Sequence, residues 1–136
     1  MVQVFADTSY WIALLNPRDH LHEKALRVSE RLSAAILVTS EMVLVEFLNG
    51  FSDSGPWLRK AVAHAVETLR SDRNVMVMPQ TSEQFQHAVR QYQQVADKSW
   101  SLTDCASFQI MQTEGIRLAL THDFHFAQAG YDALLR

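Results

Sequence analysis

Asp7, Glu46, Asp104 and Asp123 stand where this chain should be burying apolar surface. Asp7 follows the apolar run 2–6, Glu46 lies within 42–51, Asp104 opens 105–111, and Asp123 follows 118–120. An isolated carboxylate in apolar surroundings is costly to ionise. Four of them suggest one shared partner, and a divalent cation is the simplest. Mg²⁺ and Mn²⁺ favour carboxylate oxygens and water. A site of three or four carboxylates is what such ions need when the substrate brings further negative charge. In phosphodiester hydrolysis the metal activates a water and stabilises the leaving oxygen; two ions about 4 Å apart divide those tasks, and one can suffice.

A humbler role competes with this one. Aspartate commonly caps helices that follow strands, and Asp7, Asp104 and Asp123 all stand near expected helix starts. Each alone reads equally as cap or ligand, although Thr8, Thr103 and Thr121 beside them are equally good caps. Glu46 is different because it falls in mid-helix and caps nothing. At 100° per residue its angular neighbours are Met42, Val43, Asn49 and Gly50. Leu44, Leu48 and Phe51 occupy the opposite face. The helix is apolar nearly all round, which predicts burial, and a buried glutamate needs a partner. No Lys or Arg lies within four residues of it. The partner is a metal site or a distant arginine.

The elements that must position these acids alternate between strand and helix. Apolar runs predict strands at 2–6, 36–38, 75–78 and 117–120, with a last edge strand at 131–135. Helical periodicity covers 9–15, 20–32, 41–50, 57–69, 82–95 and 103–114, followed by a short turn at 122–129. Ser40 is placed to cap the third helix and Gly115 to close the sixth. In the fifth, Phe85, Ala88, Val89 and Tyr92 are expected to face inward. The pattern predicts a single α/β domain over 1–136. Its core is a Rossmann-like parallel sheet of four to five strands with helices on both faces. Right-handed crossovers bring all strand C-terminal ends to one edge, where open sheets bind ligands. Asp7 and Asp123 follow strands one and four, so both belong to that rim.

Bulk properties narrow the function classes. The chain has 136 residues, 48% of them hydrophobic and 20% charged, enough for a real core and unlike a disordered chain. No run reaches the roughly 18 apolar residues of a membrane span. The start MVQVFADTS lacks the basic and apolar regions of a signal peptide. Cys105 is the single cysteine, so no internal disulfide forms, which suits the cytoplasm. A net charge of −3 provides no broad basic field for reading DNA, yet bound cations can still bring a nuclease the positive charge a phosphate needs.

The motifs Phe5-Ala6-Asp7-Thr8-Ser9, Val43-Leu44-Val45-Glu46-Phe47, Ser101-Leu102-Thr103-Asp104-Cys105 and Leu120-Thr121-His122-Asp123-Phe124-His125-Phe126 occur in that order over essentially the whole chain. Together they resemble the PIN-domain nucleases, and within them the VapC-like toxins of bacterial toxin–antitoxin modules. The resemblance implies a Rossmann-like sheet and a Mg²⁺- or Mn²⁺-dependent ribonuclease. Asp7 and Asp104 would be the most direct metal ligands, with Glu46 and Asp123 acting through water or orienting the attacking water. Thr8 or Ser9 would assist beside the first acid, with Thr121 in a supporting place. A homodimer and a cognate antitoxin are also implied, the antitoxin's C-terminal arm blocking the acidic rim with an Arg pairing the carboxylates.

Lys98 and Trp100 could contact RNA phosphate and stack on a base, but one lysine and one tryptophan are a weak signal beside a solvated turn with the tryptophan on the core. His122 and His125 could suggest zinc, which usually takes three or four nitrogen or sulfur ligands; the other histidines are scattered, and His125 is expected instead to pack or hydrogen-bond near the rim, with Phe124 or Phe126 in the core. Arg18, Lys24, Arg27 and Arg31 read as a solvated helix face. Trp11, Phe51 and Trp57 could serve a dimer surface or an antitoxin groove. A phosphatase is a poor competitor. A dehalogenase-type enzyme wants a second Asp where Ser9 stands, and a receiver-type domain wants its Asp where Pro79-Gln80 follows the third strand. A non-catalytic RNA- or protein-binding module, or a stand-alone RNA-processing nuclease, are the remaining alternatives.

Overall fold

The computed structural model describes residues 1–136. In chain order the elements are β1 (Gln3–Ala6), α1 (Thr8–Leu15), α2 (His22–Arg31), β2 (Ile36–Ser40), α3 (Glu41–Asn49), α4 (Pro56–Ser71), β3 (Val75–Met78), α5 (Ser82–Gln94), α6 (Leu102–Glu114), β4 (Leu118–Leu120), α7 (Phe124–Gln128) and β5 (Asp132–Ala133). The strands form one sheet in the order β3-β2-β1-β4-β5, and every neighbouring pair is parallel. β1 is central, with Phe5 opposite Val38 of β2 on one side and Ala119 of β4 on the other.

This order explains where a site must form. The chain steps from β1 to β2 to β3 in one direction, then returns across the sheet to β4 and β5. Right-handed crossovers place the outgoing and returning helices on opposite faces. The reversal falls between β1 and β4, and a crevice opens there beyond their C-terminal ends. Backbone pairing continues to the lip of that crevice, because the Asp7 N–H donates to Leu120 O at 3.2 Å.

The strands are short, and β1 buries Val4, Phe5 and Ala6 completely. Trp11, Phe47, Met111, Phe126 and Leu135 fill the space around the sheet, each contributing roughly 1.5–3 kcal/mol by leaving water. Phe108 joins the two ends of this core through edge contacts with Trp100 and Phe126, ring centroids 4.9 Å apart in both cases.

Several expected boundaries shift for local reasons. α4 begins at Pro56, which suits a first helical turn that has no N–H partner to lose. α6 begins at Leu102, because Ser101 and not Thr103 is its cap. The edge strand expected over 131–135 contracts to Asp132–Ala133. The inward face expected of α5 is a correction. Only Ala88 is buried there, while Phe85, Val89 and Tyr92 stay exposed because α5 packs on α6 through a narrower stripe. Gly115 closes α6 with φ 68°, a left-handed conformation that favours glycine.

Candidate active site

Four different elements bring the four acids to the β1–β4 crevice. Asp7 leaves β1 at the N-cap position of α1, but its side chain makes no capping bond. Its Oδ2 instead accepts the hydroxyl of the fully buried Thr121 at 2.9 Å. That same hydroxyl oxygen accepts the Asp123 N–H at 3.0 Å, so Thr121 ties the first acid to the loop carrying the last. Ser9 extends the tie, lying 3.3 Å from the Thr121 hydroxyl and accepting the His122 N–H at 3.2 Å.

Glu46 corrects an expectation. The apolar surroundings predicted a buried side chain, but α3 buries only Val43, Leu44 and Phe47 and turns both Val45 and Glu46 outward. No distant arginine compensates it either. Its partner is the Thr8 hydroxyl, which donates to Oε1 at 2.5 Å.

Asp104 is both ligand candidate and cap. It sits at the third position of α6, where its Oδ2 accepts the Ser101 N–H at 3.0 Å while its own N–H donates to the Ser101 hydroxyl at 2.9 Å. This reciprocal capping box locks a buried carboxylate in place. The Ser101-x-x-Asp104 spacing carried that signal in the sequence. Asp123 caps α7 by accepting the His125 N–H on Oδ1 at 2.9 Å.

His125 was not among the expected site residues. Its Nδ1 lies 2.9 Å from Asp104 Oδ2 and 3.4 Å from Asp123 Oδ1. Its place two residues after Asp123 keeps it near that acid, but the closer contact, with Asp104, arises only where α6 and α7 meet. His122 points elsewhere, with Nδ1 2.9 Å from Leu135 O, so the two histidines do not converge as a zinc pair.

The remaining candidates separate clearly. Trp100 is buried, its indole N–H donates to Gln128 Oε1 at 2.7 Å, and its ring packs on Phe108. That removes the base-stacking role suggested for it. Lys98 stays at the surface beside Asp97. Trp11 is also buried, donating to Thr39 Oγ1 at 3.2 Å, and forms no docking surface. Trp57 is exposed and Phe51 half-buried against Phe47. Lys24 donates to Arg136 O at 2.7 Å. A pocket of about 250 Å³ between α5, α6 and the end of β3 contains none of the four acids.

The electrostatics of the crevice are one-sided. Burial pushes the Asp7 carboxyl from 3.8 up to about 7; the Thr8 amide and Thr121 hydroxyl pull it down, and the charges of Glu46 and Asp104 push it up again. No lysine or arginine reaches any of the four acids, and His125 is the only basic partner. Beside Asp104, burial raises the Cys105 thiol, which keeps it unreactive.

These residues fit a hard divalent cation. One carboxylate oxygen each from Asp104 and Asp123 and a ring nitrogen of His125 lie within 4.8 Å of one another. Every hydrogen bond to Glu46, Asp104 and Asp123 falls on one oxygen, Oε1, Oδ2 and Oδ1 respectively, leaving the second oxygen of each for another partner. Neutralising a crowded set of acids that no protein cation pairs is the task such an ion performs.

Comparison with known proteins decides the family. The model of the PIN domain matches residues 4–130. The chain belongs to the PIN-domain family. It is a nuclease of the VapC-like group, an enzyme acting on phosphodiester bonds. Among curated relatives is the 23S rRNA-specific endonuclease VapC20 of Mycobacterium tuberculosis, strains CDC 1551 and H37Rv. It is 31% identical over 131 residues, which cover 94% of this chain and 95% of the relative. The crystal structure of that protein, described as a Sarcin-Ricin loop cleaving toxin, superposes with a TM-score of 0.79 at 28% identity. That match covers 94% of this chain and 95% of the other. PIN nucleases are typically metal-dependent, and the acid cluster of this PIN domain is compatible with that habit. No helix is long and apolar enough to cross a membrane.

Proposed function

We propose that this PIN domain is a Mg²⁺- or Mn²⁺-dependent endoribonuclease and the toxin of a toxin–antitoxin pair, working in the cytoplasm as a homodimer. The observation that carries the reading is the convergence of Asp7, Asp104 and Asp123 with His125 at the sheet's switch point. Likeness to a 23S rRNA-specific endonuclease supports structured ribosomal RNA as the substrate class.

Asp7, Asp104 and Asp123 are the residues to hold a cation, with Glu46 reaching it through water. A divalent ion bound there would polarise the phosphate and supply the developing charge with a counter-ion. The chain's own groups do the rest. Thr121 holds the Asp7 carboxylate by Oδ2, and Ser101 and His125 hold Asp104 by its Oδ2. Thr8 holds Glu46 at the rim, where its free oxygen can orient a water for in-line attack. Without a cation, burial raises the Asp7 carboxyl to about 7, so an ion bound there would displace its proton and hold it ionised.

The deciding measurement is RNA cleavage with Mn²⁺, with EDTA, and by Asp7→Asn and Asp104→Asn proteins whose folding is verified by circular dichroism. Cleavage should require the metal and both aspartates. Full activity of both variants would refute the assignment. A cognate antitoxin should abolish cleavage, and an arginine offered to the acids is the natural means.

A further inference from the structure

A second pocket, of about 270 Å³, shares Ser9 and Asp123 with the catalytic rim, while Ile12, Asp19, His20, Leu21 and His122 take no part in the chemistry above. Ile12 and Leu21 supply apolar surface, Asp19 and Asp123 supply carboxylates, and His20 and His122 supply imidazole rings. Ser9, which is bonded to the Asp123 loop, completes the lining. The two rings stand edge to face, centroids 6.0 Å apart and planes at 86°. Asp19 is fixed by accepting the Leu21 N–H on Oδ1 at 2.9 Å, and His122 is fixed by its bond to Leu135 O.

We infer that this pocket seats an unpaired base of the RNA strand, one nucleotide from the scissile phosphate, and that His20 and Asp19 select it. The inference rests on the ribonuclease reading. A nucleobase has apolar faces and a polar edge, and the pocket offers apolar surface, two aromatic rings and the Asp19 carboxylate as an acceptor. Proteins read single-stranded RNA by stacking splayed bases on aromatic rings, histidine included, and bonding their edges. A carboxylate would repel a phosphate here, but it accepts from a base that carries donors. Guanine, whose adjacent N–H and NH₂ groups match a carboxylate, is the favoured occupant. Beside the pocket, Arg136 lies 5.4 Å over the exposed Phe124 ring and donates to His122 O at 3.4 Å, which brings a cation to the flanking backbone.

Two assays keep this idea separate from the nuclease assignment. In the first, short single-stranded RNAs carrying 2-aminopurine bind the protein in Ca²⁺ or EDTA, so that stacking is read without cleavage. Quenching of the probe by wild type and its loss in His20→Ala are expected. The His20 side chain is largely exposed, so the fold and melting temperature should be unchanged. In the second, cleavage ends are mapped in Mn²⁺. His20→Ala should raise KM about tenfold, more than it lowers kcat, and flatten base preference on one side of the cut. Asp19→Asn keeps the bond to Leu21 but replaces an acceptor with a donor, and should shift the preference away from guanine. Wild-type quenching without metal-dependent cleavage would keep the pocket and defeat the nuclease. Normal cleavage with unchanged KM, quenching and base preference in both variants would reduce the pocket to surface histidines only. Metal-dependent cleavage without quenching of the probe by wild type would overturn the pocket and leave the nuclease standing.

Discussion

Asp7 concentrates the chemistry because it is buried without a cation. Its carboxyl is raised to about 7 from 3.8, chiefly by burial, so the folded protein prefers it protonated. Stability from that preference is fully present below about 4 and is lost as pH rises through about 7. The metal-free protein should therefore melt several degrees lower at pH 8 than at pH 5.5, and Asp7→Asn should flatten that slope. A calorimetric series over pH checks the sign. Metal competes with the proton, so the stabilisation by Mn²⁺ should grow across the same window. Loss of the Asp7 ligand removes several kcal/mol of transition-state stabilisation, at least a ~100-fold loss of rate in single-turnover cleavage. His125→Ala removes the partner of both Asp104 and Asp123, and Mn²⁺ affinity by titration calorimetry should fall ~10–100-fold, the usual effect of deleting an orienting neighbour.

At the scale of elements, the helix starts were legible and the solvent faces were not. The Ser40 cap, the Gly115 stop and the strand at 75–78 follow from local preferences that tertiary packing did not override. Glu46 and α5 failed together for one reason. Periodicity says which residues share a face, but it does not say how much of a helix the neighbouring layer covers. α3 leaves Val45 and Glu46 outside, and α5 leaves Phe85, Val89 and Tyr92 outside. His125 escaped because its role depends on α6 and α7 meeting, a contact no local spacing encodes. The capping box of α6 links helix stability to the site. Ser101→Ala should cost about 1 kcal/mol in denaturant melts by removing the acceptor of the Asp104 N–H, yet keep most of the Mn²⁺ affinity, because the residue-101 backbone N–H still holds the Asp104 carboxylate. A loss of affinity as large as that of His125→Ala would mean that the serine hydroxyl itself positions the acid.

The whole molecule is organised around a strand order that returns on itself; the alternation of strand and helix in the sequence foretold the parallel sheet but not that order. The order also sets a schedule. Phe5 at the centre of the sheet pairs with Ala119, and Asp7 is held by Thr121. β1 thus waits for a segment 114 residues further along the chain before its side of the sheet can close, the kind of distant contact that delays folding. A chain interrupted before residue 117 holds three of the four acids but lacks β4, Thr121 and Asp123. Such fragments should neither melt cooperatively nor cut RNA in a coupled translation assay. A nuclease whose site cannot form until β4 has been made is silent while the segments before it are still being synthesised.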